Sequence, residues 1–151
     1  MYAFNTSKKI FSILLLAVFA FGCQGSSEPS KDQLISDLKS IHESISSGDH
    51  AAAAEHFKAP EGMSKEKMAK QMPGMLKKNE LSMQGIEILD KEGKFGKLSE
   101  VFPERGESWM KRNKITTPDD CYGLGFKNAE VAAFWDGSKF LLIRLDDVGK
   151  L

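Results

Sequence analysis

The groups in this chain that could do chemistry are thioethers, imidazoles and carboxylates, and their spacing decides whether they can act together. Met63, Met68, Met72, Met75 and Met83 are soft donors of the type that selects Cu(I). Met68, Met72 and Met75, however, recur at the spacing of one helix face, where methionine fills irregular core gaps. They read as core, and no metal is expected on them. Three histidines are present, His42, His50 and His56; the last two lie six apart and do not stack on one helical face as an i, i+4 pair would. The chain has no H-E-x-x-H, no C-x-x-C and no dense acidic loop, so neither zinc nor calcium is expected, and no cofactor.

The acids Asp119, Asp120, Asp146 and Asp147 sit with Arg144 at the ends of strand-like runs, and Tyr122 and Trp135 would wall a pocket near them. A carboxyl drawn into an apolar pocket has its pKa raised and can serve in proton transfer. The same residues also read as ordinary structure. Pro118-Asp119-Asp120 is a turn before a strand, Asp146-Asp147 is the polar end of the last one, and Arg144 can pair with a neighbouring acid. No nucleophile with its base and no Gly-rich phosphate loop is visible, which leaves catalysis open and favours binding. The binding residues expected are Tyr122, Trp135, Phe140 and Arg144.

The whole chain limits these options further. Its 151 residues fit one domain, and 21 basic against 21 acidic residues with 41% hydrophobic content describe a neutral globular protein. A basic nucleic-acid binder and a disordered polyanion are both excluded on that balance. Cys23 and Cys121 are too few for a disulfide-stapled scaffold.

Lys8 and Lys9 precede the apolar run Ile10 to Phe21, then Gly22 and Cys23. Twelve such residues reach only about 18 Å as a helix, short of the roughly 20 residues a bilayer requires. Cationic start, short apolar centre and small residue are the layout of an export signal. The ending Ala20-Phe21-Gly22-Cys23 resembles the lipobox of bacterial lipoproteins. That resemblance implies cleavage before Cys23, lipid on its sulfur and acylation of its new amine. Gln24 stands where inner-membrane retention favours aspartate, so the outer membrane, facing the periplasm, is implied. Residues 1–22 are then the signal peptide, 23–30 the lipidated cysteine and a polar tether, and 31–151 a single α+β domain. Cleavage removes two lysines and no acid, leaving 129 residues with formal charge −2. Cys121, left without a partner, is expected to be a buried small hydrophobe.

Within the domain, Ser30 can cap a helix through Gln33, with Leu34, Leu38, Ile41 and Ile45 as its apolar stripe and Gly48 as its stop. Asp49 caps a second helix to about Lys58. Ser64 caps a third, stapled by Met63 and Met68 and divided near Pro73-Gly74. Met83 to Leu89 reads as a strand. Phe95 to Asn113 suits two short helices broken at Pro103, with strand as the alternative for its earlier part. Cys121–Lys127, Val131–Trp135 and Lys139–Leu145 are strand-like. Asp136-Gly137 is a hairpin signal, and taking those two as the loop pairs Trp135 with Ser138 and Ala133 with Phe140. Both faces of that hairpin are apolar, and each needs a cover: a helix, a ligand or another subunit.

This layout resembles the NTF2-like (SnoaL-like) α+β cone. The resemblance is carried by Ile41 to Phe57, two helices joined at Gly48-Asp49, followed by late strands ending in Phe140 to Leu145. It implies helices packed on a curved antiparallel sheet, a conical pocket and frequent dimerisation, with no shared chemistry. Together these readings expect a lipid-anchored envelope protein acting as a binding or interaction module. Its partners would be the membrane, through the anchor, and a second copy or an envelope protein, through the C-terminal sheet. A small-ligand carrier or acid/base enzyme of the NTF2-like type is the alternative.

Overall fold

The computed structural model describes residues 28–151; the segment read as an export signal and Cys23 lie outside the described residues. The domain is α+β, with helices packed on a four-stranded antiparallel sheet of order β1-β2-β3-β4.

Helix α1 (Lys31–Ser47) starts where Ser30 accepts the Gln33 amide and ends at Gly48, in the left-handed conformation at φ 86°. Its stripe Leu34, Leu38, Ile41 and Ile45 is buried. The side chain of Gln33 does not complete a reciprocal cap; it donates to Asp37 instead. Asp49 caps α2 (His50–Ala54), which is shorter than expected. Residues 56–58 leave it to run beside β4 (Phe140–Asp146): Leu142 donates to the His56 carbonyl at 2.8 Å and accepts from the Lys58 amide at 2.9 Å. Ser64 caps α3 (Lys65–Ala69), and α4 (Met72–Lys77) follows after a break at Lys70–Gln71, with Pro73 in its first turn, where a missing amide does no harm.

Residues 83–89 are not a strand. Met83–Glu92 is helix α5, capped by Ser82 accepting from Gly85. The alternation of Ile86 and Ile88 suggested extended backbone, but Ile86 and Leu89 at three-residue spacing form the buried stripe, and packing against α1 settles the choice. The uncertain region divides between both expectations: β1 (Lys94–Lys97) is a strand, while α6 (Leu98–Val101) and α7 (Gly106–Arg112) are short helices on either side of Pro103.

β2 (Cys121–Phe126) and β3 (Ala129–Trp135) follow the sequence reading, but the β3–β4 register does not. Trp135 pairs with Phe140, and Ala133 with Leu142, so four residues rather than two form the loop. Asp136 explains the longer turn: its carboxylate accepts from the Ser138 and Lys139 amides and the Ser138 hydroxyl, each at 2.9 Å. Partial burial pushes that carboxyl up, and these bonds more than offset it, leaving it below its ordinary range. A bulge between Ala132 and Ala133 then exchanges faces. Val131 pairs with Leu145 and Ala132 with Arg144, so Leu145 joins Trp135 and Phe140 while Arg144 moves to the opposite side.

Each face has its cover within the chain. One carries Val131, Ala133, Trp135, Phe140 and Leu142 into the main core against α1, α2 and α5. On the other, Cys121 and Ala132 pack with Leu98 and Trp109 from α6 and α7. Gly123 and Gly125 make this second layer fit, since a Cβ at either would come within 2.8 Å of Val101 or Phe102. The C-terminal sheet face expected to seek a partner is therefore largely occupied by the chain's own helices.

Candidate functional site

Of the four binding residues expected from sequence, the three aromatic ones cluster in the core and Arg144 stands apart. Trp135 and Phe140 are core residues, 8% and 0% exposed, in edge-to-face contact at 4.9 Å between centroids. Tyr122 is half-buried, stacked on Phe95 at 5.6 Å, and its hydroxyl accepts from the Lys97 ammonium at 2.6 Å. These rings pack on one another. Arg144 alone reaches a cavity: it pairs with Asp146 and its guanidinium lies 5.7 Å from the centre of the Trp109 ring.

That cavity is an open groove of about 350 Å3 between the α3–α4 region and the outer edge of β4. The helical side supplies Met63, Met68, Met72 and Met75, and the strand side supplies Leu142, Ile143, Arg144 and Leu145. Phe57 closes one wall, because the 56–58 segment lies on β4 beside it. Met68 and Met72 are buried, as the helical spacing implies, whereas Met63 and Met75 stay half-buried along the groove. The charged lining residues are Lys58, Lys78, Arg144 and Glu80. None of Lys58, Lys78 or Glu80 stood out in the sequence; the available signal was the excess of lysine on the same segment as the methionine stripe.

Glu80 also completes an acidic cluster with Asp146 and Asp147, their carboxylate oxygens all within 4.8 Å of one another. Burial, and then hydrogen bonding to Asp146, pushes the Glu80 carboxyl up, opposed by the Asp147 amide, which donates to it at 3.3 Å. Arg144 pairs with Asp146 and Lys150 with Asp147, so the protein supplies countercharge to this cluster. A second cleft of about 270 Å3, lined by Arg105, Lys127, Glu130 and Arg144 among others, is likewise internally paired, with buried Glu130 held by Arg105.

The remaining candidates do not converge. Asp119 and Asp120 lie in the 3-10 turn before β2, where the Asp119 carbonyl accepts from Lys97. His42 is half-buried on α1 and His50 opens α2. Burial pushes the His56 imidazole down, against the pull of Asp37, and its Nδ1 is buried without a hydrogen-bond partner. Cys121 is fully buried, and burial, then the nearby Asp120 charge, pushes its thiol up to about 11. It packs as a hydrophobe, as expected, and is not a nucleophile at neutral pH. Comparison with protein-family models, curated proteins and solved structures returned no match.

Proposed function

We propose that this is a lipid-anchored cell-envelope protein whose domain works as a binding module, with the groove between α3–α4 and β4 as its site. The observation that carries the binding half is the groove itself: a cavity at the small end of small-molecule sites, lined by methionines and aliphatic side chains and almost as much by polar groups, Gln71 and Asn113 among them. The anchor half rests on Lys8, Lys9, the apolar run to Phe21 and Cys23. Several acyl chains at about 0.8 kcal/mol per buried methylene would hold the domain to the outer membrane, on its periplasmic side, through a short polar tether. Among the described residues no helix is long and apolar enough to cross a membrane.

Each half has its own test. Cys23→Ser is expected to move the protein from the membrane fraction to the soluble envelope fraction. The wild-type chain should start at residue 23 by mass, with the added mass of its acyl groups. A chain that keeps Met1 and stays soluble would end the anchor reading. For the groove, a neutral solvatochromic apolar dye should bind the full chain and brighten. Met75→Glu, at a half-buried wall position, should weaken that binding at least about tenfold, as a charge set against apolar surface requires. Unchanged dye binding would remove the groove as the site.

The alternative, an NTF2-like pocket protein or acid/base enzyme, is supported by the α1–α2 pair joined at Gly48-Asp49 and by the bulged antiparallel sheet. Glu80, with its carboxyl raised by burial beside the groove, is the group that such chemistry would use.

A further inference from the structure

We infer that the groove takes a single-chain anionic amphiphile, a medium-chain fatty carboxylate, with the alkyl chain along the methionines and the head group at Lys58 and Lys78. This rests on the groove being the binding site, and adds the chemistry of its ligand.

Three observations converge on that chemistry. The first is the wall. Met63, Met68, Met72 and Met75 face aliphatic side chains of β4 across the cavity. Thioether side chains are flexible and polarizable, so they follow an alkyl chain without demanding one fixed shape. The second is size. At about 350 Å3 the groove lies at the small end of ligand sites and has room for one alkyl chain.

The third is charge. Of the ionisable lining residues, Lys58, Lys78 and Arg144 are cations and Glu80 is the acid. Arg144 pairs with Asp146 through one terminal nitrogen while its Nε is buried without a hydrogen-bond partner, and Glu80 accepts from the Asp147 amide. Lys58 and Lys78 have no carboxylate partner among the described residues. Lys65 pairs with Glu55, but Lys67, Lys70 and Lys77 stand on the same α3–α4 segment against one acid, Glu66, so this segment is electropositive. A methionine-lined groove edged by ammonium groups without carboxylate partners, that of Lys58 lying 5.1 Å from the centre of the Phe134 ring, fits a chain that ends in an anion. Strand addition by an extended peptide fits less well, because residues 56–58 already take both outward backbone groups of Leu142 on this edge.

The test is displacement of the apolar dye from the full chain by saturated fatty acids of eight to sixteen carbons, kept below micelle formation, and by alcohols of matched length. Affinity should rise about three- to tenfold per added pair of methylenes, less than full burial would give, and level off within the series once the chain outgrows the groove. The carboxylate should bind at least about fivefold tighter than the alcohol, the advantage of one charge-assisted contact. The double variant Lys58→Gln/Lys78→Gln should erase that difference while leaving alcohol binding unchanged. Lys78→Gln alone, at an exposed position, should reduce it without bearing on the fold. Equal binding of acid and alcohol, or a preference that survives the double variant, overturns the inference and leaves the groove as a site for another ligand. Binding only to anionic vesicles, unaffected by Met75→Glu, would make the lysines a membrane-surface patch and overturns it too. Failure of the dye itself to bind removes both the site and its ligand.

Discussion

Phe140→Ala is expected to destabilise the domain by about 3–5 kcal/mol, against a total stability on the order of 5–15 kcal/mol. Phe140 is fully buried and stands where three elements meet. Its ring contacts Trp135 at 4.9 Å, Tyr122 at 5.7 Å and Phe95 at 6.3 Å between centroids, each edge-to-face. Those three rings come from β3, β2 and β1, so one truncation opens a cavity under every strand of the sheet. Its backbone matters as well. The Phe140 amide donates to the buried carboxylate of Asp37 at 3.2 Å, which joins α1 to the first residue of β4. A relaxation that fills the cavity would disturb that bond, so little collapse is expected. Thermal melting followed by far-ultraviolet circular dichroism should fall by about 10–15 °C. Leu141→Ala, one residue on and half-buried on the other side, should cost under about 1.5 kcal/mol. Similar losses at the two positions would contradict this account of the core.

What could be read in the sequence was local, and what could not was relational. Caps at Ser30, Asp49 and Ser64 mark helix starts because their side chains satisfy amides two or three residues on, and all three do so in the structure. The late strands were legible for the same reason, as runs between turn residues. Asp136-Gly137 marked the right turn, yet not its length. A two-residue loop follows from backbone preference alone, whereas the observed register depends on how the Asp136 carboxylate closes a longer one. The bulge at Ala132/Ala133 has no signature in residue type, and it alone moves Arg144 to the far side of the sheet. The candidate site was obscured by a reading that was half right. Met68 and Met72 are core, as helical spacing said, but Met63 and Met75 stay half-buried, and all four line the groove with β4. Lys58 and Lys78 lie twenty positions apart and become neighbours of one cavity only once α2 hands the chain to the β4 edge.

The same chemical change should have opposite signs in two helices of this domain. Alanine is a better helix former than glycine by about 1 kcal/mol, so Gly→Ala inside a helix ordinarily stabilises. Gly74, in α4, has open space where a Cβ would stand, and Gly74→Ala is expected to stabilise by about 0.5–1 kcal/mol. Gly85, in α5, is the contrary case. Its missing side chain lets the backbone of Val148 lie directly on the helix: a Cβ there would overlap the Val148 carbonyl oxygen and come within 2.7 Å of its carbonyl carbon. The obstacle is main chain, and it cannot rotate aside. Val148 is itself fully buried, and its amide donates to the Glu80 carbonyl at 3.1 Å, so the C-terminal turn Val148–Lys150 is held on both counts. Gly85→Ala should therefore destabilise by about 1–3 kcal/mol net of its helix preference, through overpacking. The damage should be concentrated at the chain's end. Hydrogen exchange at Asp147 and Val148 should accelerate well beyond that at Ile41 in α1, because local release of the turn relieves the clash at less cost than global unfolding. Uniform acceleration across the domain, or a Gly85→Ala protein as stable as Gly74→Ala, would mean that α5 and the terminal turn are not docked as described.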